Sequence, residues 1–332
     1  MQITFFYVLW ERPLVCVISS GLTLRSGVDL ALAYAAGRPC KILARPTWNL
    51  FDVSGDIAAV DRWLRRHHPH ARLVSMAGTE SDATLMAGLG VEAIHAHNSA
   101  FIDERIFYPE PGATKLFDAV HNAQTKAFKR HELAYGVRNL ALITYAQSGA
   151  SETVADLVQR YRDLRYVNYS ERSGHQMLDG DQIRRVVSQA RCGLVLSEVE
   201  GPNNASMEYF LCGVPLVTTP SRGGREAMYD PRHVAIVEPT PQAVEAAVAA
   251  FAASAPDPQE IRQSALARAR PHRERLITWL SGIVGEDLFK QADKNLRLPQ
   301  FCDKLRKTWR LEPQPNGCFE AHQIEGWARP SL

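Results

Sequence analysis

The chain has 332 residues, of which 45% are hydrophobic and 22% charged, and its formal net charge is +2. These values are ordinary for globular proteins, and the length is sufficient for two domains with substantial cores. A generic nucleic-acid-binding protein would normally carry a strong basic excess, so the small net charge argues against that class. No segment approaches the roughly 18 continuous apolar residues that a membrane-spanning helix needs.

Cysteine usage and the first residues bear on the cellular compartment. The six cysteines are scattered without a Cys-x-x-Cys pair, and four of them lie beside or within apolar runs, where buried thiols are common. This pattern favours the reduced cytoplasm over a disulfide framework. The opening MQITFFYVLW lacks a basic leader and a small-residue cleavage site, so it predicts a buried strand and not a signal peptide.

Residues 1–97 alternate short apolar runs with amphipathic segments. Strands are predicted at QITFFYVLW, PLVCVISS, CKILARP, RLVSMAG and VEAIHAH, and helices at SGVDLALAYAAG, GDIAAVDRWLRRHH and SDATLMAGLG. Alternation of this kind predicts a doubly wound parallel sheet.

Residues 19–27, SSGLTLRSG, form a turn between a predicted strand and a predicted helix. A glycine-rich loop in this position can approach a phosphate, which makes Arg25 a candidate phosphate-binding residue. The turn is not Gly-x-Gly-x-x-Gly. A loop that needs glycine only for its turns explains the sequence equally well.

Residues 62–72, RWLRRHHPHAR, concentrate four arginines and three histidines around Trp63 and Leu64. Basic residues near an anionic membrane surface contribute about 1 kcal/mol each, so a peripheral membrane contact at the inner face of the membrane is one interpretation. A solvated helix face explains the same charges and is favoured, because charge runs usually have that origin.

The remaining chain divides by composition. Residues 98–114 contain Pro109 and Pro111 and few apolar residues, and are predicted to be a linker. Residues 115–285 return to strand and helix alternation, beginning with KLFDAVHNAQ and NLALITYA. Residues 286–332 are predicted to be a helical tail that is broken at Pro299.

Residues 197–226, SEVEGPNNASMEYFLCGVPLVTTPSRGGRE, hold the most informative pattern. The apolar run CGLVL before them predicts a buried strand, and the turn GPNN offers Asn203 or Asn204 as a helix N-cap. The helix ASMEYFLCG that follows has one apolar face and ends at Gly213, where a C′ glycine is expected.

Two carboxylates flank the start of this predicted helix. Glu200 lies on the loop at the carboxyl end of a strand and Glu208 lies in the helix, with seven residues between them. Both can face one crevice. The helix N-terminus between them presents N–H groups and a positive dipole end, which is where a phosphate would bind.

This pattern resembles the Glu-x7-Glu motif of the "glycosyl transferases group 1" family, which are retaining glycosyltransferases of the GT-B fold. It occurs here as Ser197, Glu200-Gly201, Glu208-Tyr209, Gly213-Val214-Pro215-Leu216 and Gly223-Gly224. The resemblance extends to residues 96–134, AHNSAFIDERIFYPEPGATKLFDAVHNAQTKAFKRHELA, and covers roughly residues 70–285.

The resemblance implies an α/β protein of GT-B architecture, with two Rossmann-like domains of parallel sheets. The first domain, residues 1–97, would be a shortened acceptor-side domain, and residues 115–285 would bind the nucleotide sugar. The donor would lie against the second domain, with the active site in the cleft between the two, and the tail of residues 286–332 would cross back to the first domain. Family members often carry a histidine after a middle strand of the first domain. Here CKILA leads to Arg45-Pro46-Thr47-Trp48, and neither His95 nor His97 can be assigned to that role.

The family also places an arginine and a lysine, five residues apart, around the donor diphosphate. Lys129 matches the lysine, whereas the arginine position falls on Gln124. Glutamine brings no charge, so diphosphate binding should be weaker unless Lys126 or Arg130 compensates.

The remaining roles implied by the resemblance concern the donor. Glu200 would hold hydroxyls of the donor sugar and act with Lys129 as the catalytic pair, and Glu208 would hold the ribose. Backbone N–H groups would bind the diphosphate at Asn203, Asn204, Ala205 and the Gly223-Gly224 loop. Neither a metal ion nor a cofactor other than the donor is expected, and there is no Asp-x-Asp motif.

The sequence thus predicts a metal-independent, retaining transferase. It would move a sugar from a nucleotide-diphosphate sugar to a saccharide, a lipid-linked glycan or a small molecule, with no nucleic-acid partner. Two alternatives remain. A sugar-nucleotide epimerase or phosphorylase can use the same fold, since fold does not fix the reaction. A non-catalytic nucleotide-sugar-binding subunit would account for the short first domain and for Gln124.

Overall fold

The computed structural model describes residues 5–20, 24–146, 152–254 and 256–297, and the backbone of 308–313 and 319–324. The chain separates into two compact units. The first comprises Met1–Phe101, Gly223–Ala227 and Ala269–Ala328, and the second Ile102–Arg222 and Met228–Arg268, with the terminal residues beyond Ala328.

The strands and helices alternate through most of the chain. The strands are β1 (Phe5–Glu11), β2 (Leu14–Ser20), β3 (Cys40–Pro46), β4 (Ala71–Ala77), β5 (Glu92–His95), β6 (Phe117–Gln124), β7 (Leu140–Tyr145), β8 (Leu164–Val167), β9 (Tyr169–Ser170), β10 (Gly174–His175), β11 (Ala190–Val195), β12 (Leu216–Thr218), β13 (Val234–Ile236), β14 (Thr308–Pro313) and β15 (Phe319–Ile324). The helices are α1 (Leu24–Ala35), α2 (Leu50–His67), α3 (Glu80–Gly88), α4 (Val154–Val158), α5 (Gly180–Ser188), α6 (Asn204–Leu211), α7 (Pro241–Ala253) and α8 (Pro258–Val284).

The sheet of the first unit has the order β15-β14-β1-β2-β3-β4-β5. Strands β2 to β5 are parallel, whereas β1 pairs antiparallel with both β2 and β14. Because the parallel strands follow one another in chain order, the right-handed crossovers place α1, α2 and α3 on the same face. Residues of all three helices accordingly share one hydrophobic cluster. The predicted doubly wound order is therefore wrong for this unit, although its parallel α/β character is confirmed.

The C-terminal tail also differs from the prediction. Its two described segments, β14 and β15, form an antiparallel hairpin, and β14 extends the first sheet at β1. The prediction of a helical tail over 286–332 is therefore wrong for these segments; Pro299 lies outside the described residues. TWRLEP and FEAHQI pair through backbone hydrogen bonds between distant parts of the chain, which local helical periodicity cannot reveal.

The sheet of the second unit is parallel, with the order β13-β12-β11-β6-β7-β8. From the central strand β6 the chain moves outward through β7 and β8, then returns to β11 on the other side and continues to β12 and β13. This is the strand order of a doubly wound Rossmann sheet, whose ligands bind where the direction reverses, outside the carboxyl ends of β6 and β11.

The described cysteines agree with the sequence analysis. Cys16, Cys40, Cys192 and Cys212 are free and buried. Burial raises the pKa of the Cys212 thiol to about 12, so it stays protonated and packs as an apolar group. Within the described parts of the chain, no helix is both long and apolar enough to cross a membrane.

Candidate functional site

The candidate site lies at the carboxyl ends of β6 and β11 in the second unit. Strand β6 ends at Gln124 and runs through a short 3-10 turn, Ala127–Lys129, which buries Lys129. The Lys129 ammonium donates a hydrogen bond to Glu200 Oε1, and the two side chains are only 11% and 12% exposed. The structure thus pairs the lysine and the glutamate that the sequence assigned to one reaction.

Backbone hydrogen bonds hold this pair in place. The N–H of Glu198 donates to the carbonyl of Phe128 at 3.3 Å, which ties the Glu200 loop to the Lys129 turn. The N–H of Glu200 donates to the carbonyl of Arg222 at 2.9 Å, and the N–H of Arg222 donates to Glu198 at 3.0 Å. Three loops that are distant in sequence are therefore fixed by main-chain contacts.

Helix α6 begins and ends as the sequence predicts. Asn203 is the N-cap, and its side chain accepts from the N–H of Ser206 at 2.7 Å. After the last helical turn Gly213 has φ +71°, a backbone conformation that L side chains rarely adopt. The N–H groups of Asn204 and Ala205 belong to the first turn of α6, between Glu200 and Glu208 in the sequence.

Tyr209 fixes this helix on the sheet. A Cβ at Gly193 of β11 would lie 2.1 Å from Tyr209 Cδ2, so only glycine leaves room for the ring. The Tyr209 hydroxyl accepts from the backbone N–H of Asn122 on β6 at 2.8 Å. The neighbouring Glu208 is 7% exposed, and its Oε2 accepts from Asn122 Nδ2 at 3.5 Å. The helix therefore presents Glu208 to the end of β6.

Gln124 lies at the end of β6, two residues after Asn122. Its Nε2 donates to the hydroxyl of Tyr145 at 3.3 Å, across the parallel pairing of β6 with β7. Burial raises the pKa of Tyr145, and the negative charges of Glu208 and Glu200 raise it further. The tyrosine therefore stays protonated beside the two carboxylates.

Two buried histidines support the main chain of Gln124. His131 Nε2 lies 2.8 Å from the Gln124 carbonyl, which can only accept, so Nε2 carries the proton. His131 Nδ1 then accepts from the Tyr161 hydroxyl at 2.6 Å. That oxygen in turn accepts from His121 Nδ1 at 3.3 Å. Desolvation lowers the pKa of His131 to about 4 and that of His121 well below its usual value, which keeps both rings neutral.

Arg130 has a structural position. It has φ +50°, its Nε donates to the carbonyl of Leu196 at 2.6 Å, and its NH2 donates to Thr219 Oγ1 at 2.6 Å. These contacts join the carboxyl ends of β11 and β12. The guanidinium of Arg130 is therefore used in contacts within the protein. Lys126, which is half-buried before the Lys129 turn, remains the candidate to compensate for the missing charge at Gln124.

The other predicted donor-binding residues belong to the first unit. Gly224 has φ +86°, and a Cβ there would lie 2.7 Å from Thr79 Cγ2. Arg25 lies in the first turn of α1, is paired with Asp29 at 3.0 Å, and stacks over the Trp63 ring at 3.4 Å. Both Gly224 and Arg25 therefore have structural reasons for their identity, and their donor contacts stay predictions.

Sequence reasoning missed Asn122, Tyr145 and Tyr209. Asn122 and Gln124 alternate along the end of β6, and Tyr145 ends β7, so each lies at the edge where ligands of parallel sheets bind. That position was the available signal. Among the described residues, no group of three histidine, cysteine, aspartate or glutamate side chains is arranged to hold a metal ion.

A search of protein families finds one match, which spans the candidate site. A model of a family described as "Glycosyl transferase-like" matches residues 121–278, just under half of the chain, and that segment includes Gln124, Lys129, Glu200 and Glu208. No curated protein sequence matches the chain.

Solved structures extend the likeness beyond that segment. The crystal structure of Anabaena Alr3699/HepE in complex with UDP has a TM-score of 0.55 at 12% identity, covering 80% of this chain and 78% of that one. The complex of the same protein with UDP-glucose gives 0.51 at 13%, covering 81% and 77%. Sucrose-phosphate synthase from Thermosynechococcus elongatus gives 0.51 at 15%, covering 81% and 79%. The chain therefore has the α/β fold of GT-B glycosyltransferases, with Rossmann-like units, as predicted.

Proposed function

We propose that the protein is a glycosyltransferase that moves a sugar from a nucleotide-diphosphate sugar to an acceptor. The observation that carries the proposal is the buried Lys129–Glu200 ion pair beside the N-terminus of α6, at the reversal point of the second sheet. A cation, a carboxylate and unsatisfied helix N–H groups are the partners that a sugar diphosphate requires.

The diphosphate is the leaving group, and its negative charge grows as the glycosidic bond breaks. Lys129 and the N–H groups of Asn204 and Ala205 stabilise that charge. Gln124 donates a hydrogen bond without charge to the diphosphate. Asn203, at the start of α6, adds a polar contact. Cationic and dipolar groups thereby do the work that a metal ion does in other transferases.

The carboxylates orient the rest of the donor. Glu200 accepts hydrogen bonds from hydroxyls of the donor sugar, and Glu208 accepts those of the ribose. Asn122 and Tyr145 keep these carboxylates in a polar, largely buried environment, where a charge-assisted hydrogen bond is stronger than in water. The sugar is transferred with retention of its anomeric configuration.

The proposal names the nucleotide and the acceptor only by class. Solved neighbours of this fold were crystallised with UDP and UDP-glucose, so uridine diphosphate is the first nucleotide to examine. One observation favours the non-catalytic alternative: Gln124 supplies no charge where the related family carries an arginine.

Product analysis with a radiolabelled UDP-sugar panel separates these functions. Label in a new, larger product establishes transfer, and its anomeric configuration, measured by NMR, tests retention. Label in an isomerised donor would indicate an epimerase. Binding with no product from a saccharide, lipid-linked and small-molecule acceptor panel would indicate a binding subunit. Repeating the assay with a chelator tests independence from metal ions.

A further inference from the structure

Arg45 occupies an unusual position in the first unit. It is the penultimate residue of β3, and its side chain is only 6% exposed. Ile42 and Ala44 belong to the hydrophobic cluster under the helices, so the alternation of the strand directs Leu43 and Arg45 to the opposite face of the sheet. The guanidinium therefore lies at the carboxyl edge of a buried parallel sheet.

Within the described parts of the chain, the buried Nε of Arg45 has no hydrogen-bond partner. The described residues also provide no hydrogen bond or ion pair to the rest of the Arg45 side chain. The equally buried Arg273 differs, because its Nε donates to the carbonyl of Ala100 at 2.7 Å. An uncompensated buried charge is costly, so it calls for a partner from outside the chain.

The surroundings of Arg45 define the chemistry of that partner. Leu43 on the same strand and Met76 on the adjacent β4 are fully buried, which makes the local environment apolar and strengthens any charge interaction. A planar guanidinium fork matches the two oxygens of a carboxylate or the oxygens of a phosphate. Ligands of open α/β sheets also bind at this edge, outside the carboxyl ends of the strands.

We propose that Arg45 anchors an oxyanion subsite in the first unit, which holds the carboxylate or phosphate of an acidic sugar acceptor. That the ligand is an acceptor rests on the proposed glycosyltransferase function. The anion subsite itself does not depend on that function. It gives the acceptor a chemical class: a sugar that carries a negative charge. A neutral sugar lacks the group that compensates the guanidinium.

Calorimetric titration of the full chain with three probes tests the subsite. The probes are glucuronic acid, glucose 6-phosphate and neutral glucose, each added with uridine diphosphate in excess to occupy the donor site. We expect at least one of the two acidic sugars to bind and glucose not to bind. Comparing glucuronic acid with glucose 6-phosphate distinguishes a carboxylate ligand from a phosphate ligand. Arg45→Met weakens that binding at least about ten-fold, the loss of one charge-assisted pair.

Lys41→Met is the matched control. Lys41 lies on the same strand and the same side, but its charge is already paired with Glu92 at 3.0 Å, so its removal leaves acidic-sugar affinity unchanged. Arg45→Lys keeps the charge without the fork and weakens binding several-fold, which gives a second, independent measure of the subsite. Without added sugar, Arg45→Met unfolds at the same temperature as the parent or higher.

Three results would each overturn the subsite: no acidic sugar binding to the parent, parental affinity in both Arg45 variants, or an Arg45→Met protein that melts several degrees lower. Titration with uridine diphosphate alone reports on the donor site separately. Its failure would remove the proposed function and leave the anion result standing.

Discussion

Lys129 and Glu200 lie 71 residues apart in the sequence and form a nearly buried ion pair at the carboxyl ends of β6 and β11. Each side chain neutralises the other, so a change in one leaves the other as a charge with little access to water. Removing one partner of a buried pair is far more costly than replacing both. Stability and donor binding can therefore be separated by experiment.

The first prediction uses that asymmetry. Lys129→Ala lowers the free energy of unfolding by about 3 kcal/mol, because Glu200 loses its cation. The double variant Lys129→Met with Glu200→Gln recovers most of that loss but does not recover affinity for uridine diphosphate. Urea unfolding and nucleotide titration measure the two effects. A double variant that binds the nucleotide like the parent would show that this turn does not contact phosphate.

The second prediction separates the two carboxylates. Glu208→Gln weakens nucleotide affinity by about 10- to 100-fold, the equivalent of one charge-assisted hydrogen bond, while Glu200→Gln chiefly lowers kcat. Glu198→Gln is the control, since Glu198 is exposed on the same loop. Steady-state kinetics and nucleotide titration decide. Parental behaviour in both variants would remove the assigned roles.

The third prediction concerns the position where the related family carries arginine. Gln124→Arg adds a cation beside Tyr145 and strengthens uridine diphosphate binding, since charge-assisted hydrogen bonds are about twice as strong as neutral ones. Gln124→Met is the control, because methionine fills a similar volume but carries no charge, unlike arginine. Calorimetry compares the three proteins. Equal affinities in the arginine and methionine variants would place the diphosphate elsewhere.

The fourth prediction isolates the packing role of Gly224. Gly224→Ala destabilises the protein more than Gly37→Ala, because both glycines have positive φ but only Gly224 has Thr79 within contact distance. Thr79 is the N-cap of α3, and its hydroxyl accepts from the N–H of Asp82. In a Thr79→Ser background, which keeps that hydroxyl and removes Cγ2, the penalty of Gly224→Ala falls towards that of Gly37→Ala. Thermal unfolding of the set measures this. Equal penalties at both glycines in the parent would argue against the contact.

The fifth prediction is a loss of stability in acid. Burial lowers the pKa of His131 and of His272 to about 4 and that of His97 to about 3, all below the usual 6.5. Their contribution is complete above pH 6.5 and declines as the pH falls towards 4, because the unfolded chain then binds more protons. Each histidine adds a slope of up to about 1.4 kcal/mol per pH unit. Urea unfolding across this range measures the slope.

A variant identifies the groups responsible for that slope. His131→Gln flattens the acid limb of the stability curve, whereas His67→Asn, at an exposed position, leaves it unchanged. An acid limb of the same steepness in the His131 variant would assign the proton uptake to other groups.

The sequence predicted well what short-range chemistry decides. Asn203 caps α6 and Gly213 adopts a positive φ after it, as their residue types require. The strand CKILARP is predicted with its observed bounds, since seven residues ending in proline before a polar turn leave little choice.

Other features depend on contacts that no local pattern contains. The proximity of Tyr145 to Gln124 comes from the register of β6 against β7, and the β14 pairing with β1 joins residues about 300 positions apart. The same alternation of strands and helices is compatible with several strand orders, so it does not predict the sequential order of the first sheet. Candidate residues can therefore be named from the sequence where a motif spans them, but not where only the sheet brings them together.

The hydrogen bonds from His121 through Tyr161 and His131 to the Gln124 carbonyl fix the direction of every proton among them. The two imidazole N–H protons are buried and bonded, so they should exchange slowly with water and give separate proton NMR signals. The His131 signal depends on the carbonyl of Gln124, at the mouth of the candidate donor site. The protein thus carries an intrinsic spectroscopic reporter of what happens at the end of β6, without any label.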